Sequence, residues 1–231
     1  MATKTFEING LGSVTITKRR SNRHLRLSIG SNGEIKVSIP TWAPYNAGLD
    51  FVRSKQGWIE KKRPKQNILS HNQPIGRAHR LNFVVADVDK PRTRINGNMI
   101  SVSYGKQMTY NDPEVQAAAY SASTKALRQQ AESLLPKRLN TLSELHDLTF
   151  KDIRIKQLTR RWGSCDQDKR IVLNLYLIQL PWELIDYVIL HELSHTKHLN
   201  HGPAFWSTLE SMAPNARQLK KEIGSYHPGI I

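Results

Sequence analysis

PWELIDYVILHELSHTKHLNHGPAFW, residues 181 to 206, decides how the rest of the chain is read. Pro181 stands at a first helical position, where its missing N–H costs nothing. Leu184, Val188, Ile189 and Leu193 follow at helical spacing and predict a core-facing stripe. The stripe ends in HELSH. Residues i and i+4 of an α-helix lie one above the other, about 5 to 6 Å apart at Cβ. His191 and His195 therefore aim two imidazoles at one ion held at about 2.0 to 2.1 Å. Glu192 is turned about 100° around the axis, so its carboxylate reaches a water on that ion without joining the coordination sphere. Given 9 His and 10 Glu among 231 residues, composition alone yields about 0.015 occurrences of HExxH, so the pattern carries information.

A third ligand is needed, and two histidines compete. His198 continues the stripe but lies about 10.5 Å above His191 along the axis, too far to share one tetrahedral ion. His201 sits where the chain leaves the helix, between Asn200, which tolerates a left-handed turn, and Gly202-Pro203, which opens the next helix. A turn there swings His201 back under the other two, and it is the expected third ligand. The spacing also matches the metzincin pattern HExxHxxGxxH, but His198 occupies its glycine position and a Cβ is awkward in that turn. Met212 ends an apparent helix and makes no Met-turn. Cys165 is a rival fourth ligand that would close the site.

Working outward, SVTITK, HLRLSI and EIKVSIP alternate apolar and polar residues as strands, with SNG (31–33) supplying a hairpin turn. Residues 43 to 62 read as one helix stopped by RPK (63–65). RLNFVV, RTRI and MISVSY, the last two joined by NGN, add three strands. From Asn111 the composition changes to helix formers, opening at Pro113 and expected to kink or split at Pro136. FKDIRIKQL reads as a strand, RRWGSC and RIVLNLYL as a hairpin across DQDK, and GPAFWSTLESM and PNARQLKKEI as two closing helices. The expected fold class is α+β: a β-rich N-terminal region with one helix, residues 1–105, followed by a zincin-like helical metal-binding catalytic domain with a small sheet, residues 106–231.

The longest apolar stretch, IVLNLYLIQL, is far short of the roughly 20 residues of a membrane helix, so no membrane partner is expected. The N-terminus lacks the apolar run of a secretory signal, and the single cysteine cannot form an internal disulfide, which together predict a cytoplasmic protein. Lys and Arg number 34 against 19 Asp and Glu, a net +15. Such an excess suits polyanionic partners, nucleic acid among them, if the fold gathers KRRSNRHLR, KKRPK and the Arg160-Arg161 pair onto one face.

RRWGSC, IVLN and HELSH…HGPAFW, preceded by GWIEKK, resemble the YgjP-like metallopeptidase family, distant relatives of the SprT-like and WLM zinc proteases. The resemblance spans nearly the whole chain. It implies Zn2+ on His191, His195 and His201, with Glu192 as general base, and a peptide or protein substrate. Three imidazoles also accept other divalent first-row metals. Some members of the family carry a UTP pyrophosphatase label, so a nucleotide substrate at the same site is the second expectation. A nucleic-acid-associated, SprT-like protease or binding module is the third. Arg160 and Arg161 are the expected substrate-binding cations, offering charge to a carboxylate or phosphate.

Overall fold

The computed structural model describes residues 2–8, 11–30, 35–62 and 68–230, with the backbone alone at 61 and 62. The SNG turn and the RPK stop fall outside these residues. Two compact units are present, Met1–Asn67 and Ile68–Ile231.

The first unit is a four-stranded sheet backed by two helices. Its strands are β1 (Thr3–Ile8), β2 (Gly12–Arg19), β3 (Arg26–Ile29) and β4 (Ile35–Pro40), in the order β1-β2-β4-β3. β2 and β4 run parallel and the other pairs antiparallel. The two-residue period places Val14, Ile16, Ile35, Val37 and Ile39 on one face, buried with Val52 and Ile59 of helices α1 (Tyr45–Ser54) and α2 (Gln56–Lys62). The sequence pattern read residues 43–62 as a single helix. It divides at Lys55, whose N–H bonds back to the Val52 carbonyl while the Ser54 hydroxyl takes the Phe51 carbonyl. β1 was not legible, because only Phe6 and Ile8 of TKTFEI are even half-buried.

The second unit holds two sheets around one long helix. β5 (Pro74–Ile75), β6 (His79–Val85), β7 (Arg92–Asn96) and β8 (Met99–Tyr104) form a sheet in the order β5-β6-β8-β7. Helix α3 (Pro113–Leu145) packs on it, and Leu81, Ile100 and Val102 share a core with Val115, Ala119 and Leu127. This shared core is why the compact units divide at residue 67, whereas the change of composition falls at 105. The second sheet orders β9 (Asp152–Lys156), β10 (Gly163–Cys165) and β11 (Arg170–Asn174) as β10-β11-β9. A 3-10 helix (Leu175–Gln179) follows, then α4 (Trp182–Ser194), α5 (Pro203–Met212) and α6 (Ala216–Ile223). The architecture is the α+β arrangement expected, with several sheets and the candidate site on helices.

Two local expectations are corrected. α3 runs unbroken through Pro136, because buried Leu135, Leu139 and Leu142 hold the helix on both sides of the lost N–H bond. LYLIQ is not strand: the buried Asn174 side chain accepts the Tyr176 N–H at 3.2 Å and starts the 3-10 turn instead.

Gln130 ties the first sheet of this unit to α3. Its Oε1 accepts the Arg77 and Ala78 backbone N–H groups at 2.7 and 3.2 Å, and its Nε2 donates to the Ile75 carbonyl at 3.0 Å. Gly76 makes the approach close: it has φ +64°, and a Cβ there would lie 2.6 Å from Gln130 Oε1. Gln130→Ala removes the partner of three backbone groups, the Ile75 carbonyl among them buried, and is expected to cost about 1 to 3 kcal/mol, measured as a lower urea midpoint at unchanged m-value.

Candidate metal centre

The first three turns of α4 bury Leu184, Ile185, Val188 and Ile189, which fixes the rotation of the helix and therefore where its last turn points. That turn ends for a local reason. The Ser194 and Thr196 hydroxyls donate to the Leu190 and Leu193 carbonyls at 2.8 and 2.7 Å, loosening the ladder. His195 keeps helical angles at the C-cap, so the i, i+4 geometry with His191 survives. The chain then turns through 196–200 and Gly202-Pro203 starts α5, bringing His201 back.

His191, His195 and His201 form one cluster whose candidate ligand nitrogens all lie within 4.8 Å of one another. The Nε2 atoms of His191 and His201 are 3.1 Å apart. Two nitrogens each about 2.05 Å from a tetrahedral ion sit about 3.3 Å apart, so this pair already has coordination spacing. Nδ1–H of His195 donates to the His198 carbonyl at 2.9 Å, which leaves its Nε2 lone pair for a cation. Burial, and then the neighbouring imidazoles, pushes His191 down to about 3 and lowers His201 in the same way. Both shifts favour the neutral ring, the form that ligates metal. Among the described residues the Nδ1 of His191 is buried without a hydrogen-bond partner. The donor set fits a divalent cation such as zinc.

Phe205, fully buried, is the floor beneath them. Its ring centroid lies 5.0, 4.6 and 4.7 Å from those of His191, His195 and His201. Trp206, half-buried against the core, lies under Arg217 and Lys220, each 4.8 Å from its ring centroid. His198 is turned away, its Nε2 3.0 Å from Thr208 Oγ1.

Glu192 is 5% exposed, and burial pushes its carboxyl up to about 8 while the Arg161 charge pulls it down. Its carboxylate packs on Gly163 of β10, where a Cβ would fall 2.7 Å from Oε1 and 2.8 Å from Cγ. Any larger residue would displace it. The sequence held a signal for this contact, since a glycine inside a strand marks a close approach, but only the structure supplies its partner.

The loop before β10 is fastened by Asn174. Its Nδ2 donates to the Leu158 and Arg161 carbonyls, both at 2.9 Å, and its own N–H donates to the Trp162 carbonyl. Arg161 is exposed at the rim with its charge felt by Glu192. Arg160 is exposed too, and among the described residues no contact joins it to the cluster. Trp162 packs against the core. Cys165 stays outside the cluster, and burial, with Glu192 and Asp166 nearby, pushes its thiol up to about 11. Sequence reasoning missed Lys220, whose charge lowers both His191 and His201.

The sequence profile described as YgjP-like, metallopeptidase domain, matches residues 23–226. Among solved structures the chain is similar to the metallopeptidase zymogen abylysin of Pyrococcus abyssi. The two are 22% identical over 39% of this chain and 91% of that one, with a TM-score of 0.36. No curated protein gives a match. No helix among the described residues is long and apolar enough to cross a membrane.

Each of His191→Ala, His195→Ala and His201→Ala is expected to lower zinc affinity at least a hundredfold, while His198→Ala and Cys165→Ser leave it within about threefold. Competition against a chelating zinc indicator reads both groups. A fall in the Cys165→Ser protein equal to that in His201→Ala would put sulfur in the site.

Proposed function

The chain belongs to the YgjP-like family of metallopeptidase domains, and on that premise we propose that it is a zinc-dependent peptidase in which His191, His195 and His201 hold the metal and Glu192 is the general base. The observation that carries the reading is a single carboxylate, buried and wedged against Gly163, one residue from the first of three converging imidazoles. When bound, the ion supplies Lewis acidity towards a carbonyl oxygen and makes a nearby water more acidic. The charge of a bound ion would favour the ionised form of Glu192, which then accepts the proton of the attacking water and returns it to the departing amine. Gly163 and the neighbouring strand keep that carboxylate from rotating into bulk solvent. Phe205 keeps the imidazole cluster dry on its inner side, so the charge on the ligand set acts at low dielectric.

β10 lies at the edge of its sheet and packs on α4. An extended peptide can add to that edge through main-chain hydrogen bonds, which places a scissile carbonyl beside the cluster. Arg161, and less directly Arg160, offer a cation to a substrate carboxylate. Three neutral ligands leave the ion its full charge, and with Arg161 and Lys220 near the cluster a phosphoryl oxygen is the competing substrate group. Hydrolysis of a nucleoside triphosphate such as UTP is therefore the second reading. A cytoplasmic setting accords with the lone cysteine.

In zinc-loaded protein Glu192→Gln is expected to lower casein hydrolysis by about 10² to 10⁴ with zinc stoichiometry unchanged. Gly163→Ala is expected to lower kcat at least tenfold, again with zinc retained, because it moves the carboxylate without touching a ligand. Casein cleavage that survives Glu192→Gln refutes the general base. UTP turnover without proteolysis, lost in the same variant, moves the assignment to the phosphoanhydride reading.

A further inference from the structure

The positive charge is not evenly spread. Residues 1–67 carry 13 Lys and Arg against 4 Asp and Glu, a net +9 of the chain's +15 in well under a third of its length. One face of the β1-β2-β4-β3 sheet is covered by the α1 and α2 core. The opposite face presents Thr5, Thr15, Thr17, Ser28 and Ser38, aligned by the register, with Arg26 beside Ser38. The link from β2 to β3, residues 20–25, contains most of the basic run KRRSNRHLR. β2 ends at Arg19 opposite Pro40, and β3 begins at Arg26 opposite Ser38. The link therefore has to cross the C-terminal end of β4, and Asn22 pins it there by donating to the Ser38 hydroxyl at 2.7 Å. Arg19, Arg20, Arg23 and Arg26 are all exposed, and none has a carboxylate partner among the described residues.

Trp42 emerges at this same end of the sheet, two residues past β4, and is 78% exposed, the most exposed large apolar side chain described. The adjoining Thr41 carbonyl accepts from Lys18 Nζ at 3.2 Å, which ties the Trp42 turn to β2 beside Arg19. A lone indole at the same end of the sheet as four exposed arginines offers little apolar area to a bilayer. It does match a chain of phosphates with accessible bases, where cations follow the backbone and an aromatic ring stacks on a base.

We propose that this end of the first unit binds single-stranded nucleic acid, with Arg19, Arg20, Arg23 and Arg26 on the phosphates and Trp42 stacked on a base. The site is independent of the metal centre and of the peptidase reading.

The test is fluorescence anisotropy of a labelled oligo-dT of about 20 nucleotides with the full chain across a salt series. Binding is expected at low salt, with log K falling against log salt at a slope of about −2 to −3, the value for three to four phosphate contacts on a single strand. Arg19→Gln/Arg20→Gln/Arg23→Gln should weaken binding at least tenfold and flatten the slope by about 2. Trp42→Ala should weaken it about fivefold or more at unchanged slope. All four positions are exposed, and matching thermal melts show that the variants fold. The proposal is overturned by an absence of binding at low salt, by binding that both variants retain, or by capture on vesicles rich in anionic lipid that exceeds capture by the oligonucleotide.

Discussion

The candidate site depends on taking the last turn of α4 out of water while leaving it a use for its polar groups. An apolar helix face that ends in His-Glu-x-x-His carries burial forward into residues that resist it. Glu192 is nearly as inaccessible as the leucines before it, and its carboxyl is displaced upward as a direct result. His191 is displaced the other way by the same burial. Opposite shifts from one cause leave a protonatable acid beside uncharged bases, and a divalent cation restores the balance by giving both a charge to face. The fold accepts this cost because Phe205 fills the space beneath all three rings, so the turn cannot collapse inward to hide them.

What the sequence made legible follows from distance along the chain. The His191–His195 pair is set by helical pitch and needs no tertiary knowledge. His201 was reachable because Gly202-Pro203 opens a new helix just beyond it; Asn200 does not take the left-handed backbone expected of it, yet the structure does bring the His201 ring to the other two. The alternation in β2, β4, β6 and β8 was equally plain, since each of these strands buries one face. β1 and the two-residue β5 were not, because a strand with little buried surface leaves no period to read. Pro136 and LYLIQ misled for another reason: a single-residue preference was overruled, by burial of the flanking α3 leucines in one case and by the adjoining Asn174 cap in the other.

Contacts between the metal helix and its strand were out of reach for a different reason. Gly163 and Glu192 are separated by 29 positions, and neither residue announces the other. Only a register that brings β10 against α4 turns a permissive glycine into a constraint on one carboxylate. Asn174 belongs to the same class. Its side chain is fully buried, yet it serves three roles at once: it ends β11, starts the 3-10 helix and holds the carbonyls of Leu158 and Arg161. An apolar residue of that size would satisfy none of these groups.

Asn174 also links stability to the chemistry of the rim. The loop it fastens has no hydrophobic anchor beyond Trp162, and Arg161 acts on Glu192 only while the backbone beneath it is held. Loosening that loop would let the guanidinium relax into solvent, where its charge is screened from the buried carboxyl. The strand edge that meets Glu192 begins two residues later, so the same loss of order would spread to Gly163. Rim charge, strand edge and buried acid are thus held in common by one amide side chain. The metal ligands are not: they ride on α4 and on the turn into α5, fixed by Phe205 from below. Binding of a cation and positioning of the acid beside it therefore have separate structural supports, which lets either one vary while the other is kept.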